Sequence, residues 1–278
     1  LRLPSLTRRT RRGVAAARRR RERSTVPVPD FAGAAPTSAL NDAFTPARAY
    51  ARASLPLHAV KAVKDRTGAT LNDVVLATVA GALRGYLAER GELPDLPPLA
   101  SVPVSYEPPD APLRQAGNRF WSFTTTLATD VADPAERLRT IAATAAEAKA
   151  QLAELGPDLL PTWLDHVPPL VSEPGARALV DRLQAGGDRV DANVLISNIR
   201  GPAEPWTLLG RTVADLYIDG PPSNGVGLNV MLWSYGDRLL FGVLAFADAL
   251  RAPVALSAWF DRAFAELQHA TAAARAPR

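Results

Sequence analysis

The chain has no cysteine, one methionine (Met231), three histidines and only 6% aromatic residues in 278 positions. Without cysteine there is no disulfide, no thiol nucleophile and no thiolate metal site, a composition compatible with the cytoplasm. No apolar run reaches the roughly 18 residues that a membrane-crossing helix needs. The longest, Leu239–Ala247 and Val74–Leu83, read as core elements. The first 23 residues carry arginine but no following apolar stretch, so no secretory signal is expected. The chain starts on Leu1, and a fragment, a processed chain or a trimmed form is expected.

Self-contained chemistry is scarce as well. His58 begins a predicted helix, His166 ends one and His269 lies near the C-terminus. None has an acidic residue four positions on or a second histidine nearby, so no metal-ligand spacing exists and structural roles are expected for all three. There is no G-x-S-x-G nucleophile elbow and no G-x-x-x-x-G-K phosphate loop. Asn224-Gly225-Val226-Gly227 precedes a strand rather than a helix, which makes it a turn and not a dinucleotide loop. The carboxylate pairs Asp130/Asp133 and Asp188/Asp191 flank element starts, where aspartate caps or turns the chain. No metal and no resident cofactor is expected.

What is present is the composition of a soluble globular protein, 47% hydrophobic and 22% charged, long enough to bury a sizeable core. The net charge of +4 conceals a division. Residues 1–23 hold ten arginines and one acid, Glu22, whereas the remainder is mildly acidic. This arm reads as a solvated helical linker, as a segment attracted to anionic lipid headgroups, or as a nonspecific nucleic-acid binder. The body shows no basic stripe with interleaved aromatics, so no specific nucleic acid is expected. Residues 24–46 carry four prolines and read as an extended connector.

Beyond it, strands are predicted over Arg48–Leu57, Leu99–Tyr106, Arg119–Thr129, Asp191–Asn198, Thr212–Ile218, Gly227–Ser234 and Leu239–Phe246. The last two form a hairpin across Tyr235-Gly236-Asp237-Arg238. Helices are predicted over Leu57–Thr67, Thr70–Arg90, Pro134–Leu155, Leu159–His166, Pro174–Ala185 and Pro253–Ala274. Thr70, Asn72 and Asp73 are cap candidates, and Leu71, Val74, Val75, Val79, Leu83, Tyr86 and Leu87 make one apolar stripe. Helices alternating with strands, then a run of strands, predict an α/β fold, a mixed β-sheet flanked by helices.

Polar residues stand at the ends of these apolar elements: Asn72 and Asp73, Ser197 and Asn198, Ser223, Asn224 and Gly225, and Ser234 with Tyr235. Such groups can cap and turn the chain, or converge on a cleft to orient a substrate or donate to an oxyanion.

At these residues the chain resembles the bacterial wax ester synthase/diacylglycerol acyltransferase family, from about Pro36 to the C-terminus. The segment Thr70-Leu71-Asn72-Asp73-Val74-Val75 with Gly81-Ala82-Leu83-Arg84 is similar to the family's Asn-Asp helix. Val102-Pro103-Val104-Ser105 and Gly117-Asn118 match two further signatures. Asn198-Ile199-Arg200-Gly201-Pro202 resembles N-V-P-G-P, with Arg200 in place of proline. In the longest signature Ser223, Gly225, Leu228, Val230, Ser234, Tyr235, Phe241, Gly242 and Val243 fall in register. There Asp237 replaces a usual glycine and Phe246 a usual aspartate.

The resemblance implies one of two related chloramphenicol-acetyltransferase-like domains with an active site between them. The family's general base is the second histidine of H-H-x-x-x-D-G, which this sequence lacks. Residues 1–46 then correspond to an Arg-rich arm and interdomain linker, and 47–278 to a C-terminal acyltransferase domain. The implied activity is transfer of a fatty acyl group from acyl-CoA, a co-substrate, to diacylglycerol or a long-chain alcohol. Asn72, Asp73, Asn198, Ser223, Asn224, Gly225, Ser234 and Tyr235 are the implied substrate-binding residues, and the missing N-terminal domain the implied partner. The expected location is cytoplasmic, peripheral on the inner face of the plasma membrane or on a lipid droplet. The alternative is a non-catalytic module that binds acyl-CoA or lipid, or docks on a partner.

Overall fold

Element boundaries follow from local chemistry. In the computed structural model, residues 3–29, 35–41, 45–107, 119–156, 159–164, 166, 173–175, 177–178, 181, 190–223 and 225–272 are described. The chain runs α1 (Leu3–Arg23), β1 (Arg48–Pro56), α2 (Leu57–Thr67), α3 (Leu71–Glu89), β2 (Leu99–Ser105), β3 (Phe120–Thr126), α4 (Pro134–Leu155) and α5 (Leu159–Leu164). It continues through β4 (Val194–Ile199), β5 (Thr207–Leu208), β6 (Arg211–Thr212), β7 (Leu228–Tyr235), β8 (Arg238–Phe246) and α6 (Pro253–Ala270). Helix α2 stops because Gly68 takes a left-handed conformation, φ 72°, and its N–H bonds the Lys64 carbonyl. Helix α4 starts where the Asp133 carboxylate accepts the Glu136 N–H at 2.7 Å and Pro134 takes the first turn. The β7–β8 turn has φ +59° at Gly236, a position few side chains tolerate.

Six strands form one sheet in the order β1-β8-β7-β4-β2-β3. Strand β4 is parallel to β2 and β7, and the other neighbours are antiparallel. The mixed sheet flanked by helices is the expected architecture. Helices α2, α3, α4 and α6 share with one sheet face a single apolar core. Helix α3 is buried nearly all round, with Val74, Leu76, Val79, Ala80 and Ala82 fully enclosed, rather than along one stripe. A helix apolar on every side belongs in an interior. Its partner α6 crosses so closely that a side chain at Gly85 would collide with the Trp259 ring.

One expected element is absent. Residues 213–221 form no strand. The segment instead crosses the sheet face opposite the helices. The Leu216 carbonyl accepts the Trp233 indole N–H at 2.6 Å, and the Pro221 carbonyl accepts the Asn229 amide at 3.0 Å. Leu216, Tyr217 and Ile218 pack on Trp233, Tyr235 and Leu240. The apolar pattern that reads as a strand thus comes from covering a sheet face. Of the helix expected over 174–185, residues 174–175, 177–178 and 181 are helical and the rest lie outside the described residues, as does the Gly117-Asn118 signature.

The arginine-rich segment is a helix laid along α4 rather than a free arm. Its inner side is made of Leu6, Thr10, Gly13, Ala17 and Arg20, spaced three or four apart. Thr10 accepts the Trp163 indole N–H at 2.9 Å, and Arg20 forks onto the Glu147 carboxylate at 3.0 and 2.8 Å. Gly13 lets the backbones approach, since a Cβ there would sit 2.7 Å from the Leu155 carbonyl oxygen.

Candidate functional site

The parallel strands β2, β4 and β7 finish at the same end of the sheet, the end at which ligands enter open α/β folds. Three of the expected residues lie there. Asn198 is near the end of β4, partly exposed. Ser234, on β7, accepts the Gly201 N–H on its hydroxyl at 3.1 Å. A side chain at Gly201 would strike the Ser234 carbonyl, so this N-I-R-G-P corner requires glycine for its close approach. Tyr235 is 2% exposed; its hydroxyl donates to the Val213 carbonyl at 2.8 Å and accepts the Trp206 N–H at 2.9 Å. Its ring stacks on Trp233 at 5.5 Å. Tyr235 therefore anchors the segment that crosses the sheet.

Asn72 and Asp73 lie in the first turn of helix α3. Its last turns meet the exit from β8, where the Tyr86 hydroxyl accepts the Ala252 N–H at 3.3 Å. Its first turn lies at the far end of the helix from that exit. Asp73 is buried in a capping box: its carboxylate accepts from the Thr70 N–H at 2.9 Å and the Thr70 hydroxyl at 2.7 Å. That box positions the helix start and leaves Asn72, partly exposed in the same turn, as the side chain available to a ligand.

Ser223 and Gly225 lie at the opposite end. Ser223 N–H bonds Val226 O and Val226 N–H bonds Ser223 O, closing a tight turn with φ +77° at Gly225. The Asn41 amide donates to the Gly225 carbonyl at 2.6 Å, and the Asn193 amide donates to Asn41, also at 2.6 Å. This turn locks residues 38–41 to the start of β7 and is remote from Asn198. Asn224 lies outside the described residues.

The open half of the sheet was not anticipated from the sequence. On the face opposite the helices, Ser101, Pro103, Ser122, Thr124, Leu195 and Ser197 of β2, β3 and β4 are partly exposed beyond the crossing segment. The signal was present as alternation of small polar residues with apolar ones along β3. His58 and His269 sit in the first turn of α2 and the last turn of α6. His166 Nδ1 lies 2.8 Å from the Thr162 carbonyl. The three are held on separate elements, and among the described residues no group of metal-ligating side chains gathers.

A mixed sheet with helices on one face, and polar groups at the carboxyl ends of its parallel strands, defines an α/β domain with a candidate ligand-binding end. A family model for the wax ester synthase/diacylglycerol acyltransferase C-terminal domain matches residues 116–268, and one for the catalytic domain matches residues 2–75. The chain belongs to the wax ester synthase/diacylglycerol acyltransferase family.

It is 36% identical over 269 residues to a candidate diacylglycerol O-acyltransferase of Mycobacterium tuberculosis, covering 97% of this chain and 56% of that protein. Against another from Mycobacterium bovis it is 34% identical over 243 residues, covering 84% and 46%. The solved wax ester synthase/diacylglycerol acyltransferase from Marinobacter aquaeolei VT8 superposes with a TM-score of 0.64 at 26% identity, covering 97% of this chain and 58% of that one. The cyclization-docking bidomain of EpoB from Sorangium cellulosum shares the fold, with a TM-score of 0.52 at 15% identity, covering 95% and 49%. The chain thus spans about half the length of the relatives it matches.

Proposed function

We propose that this chain forms the C-terminal part of an O-acyltransferase that moves a fatty acyl group from acyl-CoA to diacylglycerol or a long-chain alcohol. The family match, together with overlay of nearly the whole chain on the Marinobacter enzyme, supports the reading. In this scheme a histidine in the remainder of the enzyme takes the proton of the acceptor hydroxyl. The oxygen attacks the thioester carbonyl, a C–O bond forms, the C–S bond breaks, and coenzyme A leaves as its thiol.

The chain's own contribution is a wall of the cleft at the carboxyl end of the sheet. In this scheme Asn72, at the positive end of α3, donates to substrate oxygen, and Asn198 contributes from the carboxyl end of β4. Ser223 and Gly225 hold the far side of the fold in register. Apolar residues at the carboxyl end, among them Ile199 (41% exposed), Trp206 (53%) and Leu209 (96%), are the surface that packs on the histidine-bearing part. Because the acceptors are lipids and no described helix is long and apolar enough to cross a membrane, the reading places the enzyme on the inner surface of the plasma membrane or on a lipid droplet.

The test joins this chain to the histidine-bearing part of a family member and follows coenzyme A release on addition of diacylglycerol or hexadecanol. Acceptor-dependent release supports the reading. A folded protein that binds acyl-CoA without transferring it contradicts the reading and makes this chain a lipid-binding module.

A further inference from the structure

Helix α1 spends its small and apolar side on α4 and turns its arginines outward. Arg8, Arg9, Arg11 and Arg12 on its first half, and Arg18, Arg19, Arg21 and Arg23 on its second, are exposed, with Glu22 the one exposed acid among them. At 1.5 Å per residue these cations span about 22 Å. The Arg20–Glu147 fork, the Trp163–Thr10 bond and the Gly13 approach to Leu155 hold the helix at both ends and its centre. The charge is therefore presented as a fixed face rather than on a loose tether.

Beside this face lies a cleft of about 350 Å³ between α1, α4 and β3. Val14, Val28, Phe123, Leu152 and Leu155 make its walls, and Arg18 and Arg21 stand on its rim. Val14 is 50% exposed there. Anionic charge meets arginine outside, and hydrocarbon meets a largely apolar wall inside. That pairing matches a phospholipid, whose phosphate and acyl chain are joined. Nucleic acid pairs its phosphates with bases, which need aromatic stacking surfaces, and the exposed side of α1 carries no aromatic residue.

We propose that the outer face of α1 docks on an anionic lipid bilayer, with the α1–α4 cleft receiving an acyl chain from the surface. The choice of lipid also draws on the acyltransferase reading, but the contact is defined by charge and cleft and is measured without turnover.

The experiment is co-sedimentation of the 278-residue chain with phosphatidylglycerol-containing vesicles and with pure phosphatidylcholine vesicles. Binding to the former, much weaker binding to the latter, and loss near 0.5 M salt are expected, since screening then acts within about 5 Å. Each arginine near the surface contributes roughly five-fold to partitioning. Arg8→Gln, Arg9→Gln, Arg11→Gln and Arg12→Gln together should therefore lower it by two to three orders of magnitude, roughly. The same four positions changed to lysine should retain it, which separates charge loss from misfolding. Equal binding to both vesicle types, undiminished binding by the glutamine variant, or displacement from vesicles by duplex DNA at equal phosphate would overturn the proposal. Because no outcome depends on acyl transfer, an inactive but vesicle-bound protein would count against the proposed activity alone.

Discussion

Helices α1 and α3 are of similar length, 21 and 19 residues, and both approach a neighbour through a glycine, yet they belong to different layers of the energetics. Helix α3 is enclosed by α2, α4, α6 and the core face of the sheet, and a stabilising capping box starts it. Helix α1 buries one leucine, Leu6, and rests on α4 through small residues and one ion pair. Burial of apolar area makes α3 inseparable from the fold. Helix α1 contributes little apolar burial, so its detachment is expected to cost the core less. The contrast separates what holds the domain from what equips its surface.

The largest effect that would sharpen this contrast is expected at Gly85. A β-branched side chain there drives into Trp259 and parts α3 from α6, so Gly85→Val should cost about 3 kcal/mol or more and lower the thermal midpoint of the whole domain. Unchanged thermal unfolding would mean that the two helices do not pack this closely. Next comes the α3 start. Asp73→Ala breaks the capping box and should cost about 1 kcal/mol, whereas Asn72→Ala should leave stability within roughly 0.5 kcal/mol and lower turnover in a complete enzyme. Turnover of the Asn72 variant equal to wild type removes that residue from the site.

At the other helix, Gly13→Val should detach α1 with little change in core unfolding, because the clash falls on the Leu155 and Glu154 carbonyls. Amide hydrogen exchange should rise in residues 3–23 and stay slow in β7 and β8; faster exchange throughout would show α1 to be part of the core. The smallest effect concerns pH. The Arg20 guanidinium holds the Glu147 carboxyl below its ordinary value, so this contribution is complete above the unfolded carboxylate range, about 4.3. It is lost as pH falls through the lowered folded value. Exchange in α1 should therefore rise on acidification below about pH 4, and Glu147→Gln should remove that dependence.

Legibility in the sequence divides along the same line. The bounds of α4 can be read because Asp133, Pro134 and Gly156 punctuate both ends, and the β7–β8 turn because Gly236-Asp237 separates two apolar runs. The segment 213–221 could not be read. Its apolar residues face down onto Trp233 and Leu240, and a cover for a sheet face carries the same alternation as an edge strand. The docking of α1 was hidden because ten arginines mask the Leu6–Thr10–Gly13–Ala17–Arg20 row. Which polar residues at element ends share one end of the sheet could not be read. Caps and turns occur at both ends of a sheet, and the pattern does not say that Asn198 and Ser223 lie at opposite ones.

The most direct test of the central claim compares acyl transfer to diacylglycerol by the 278-residue chain alone, by the chain joined to the histidine-bearing part of a family member, and by the joined protein with that histidine changed to alanine. Product is expected from the joined protein only. Transfer by the chain alone, or undiminished transfer after loss of the histidine, would contradict the claim.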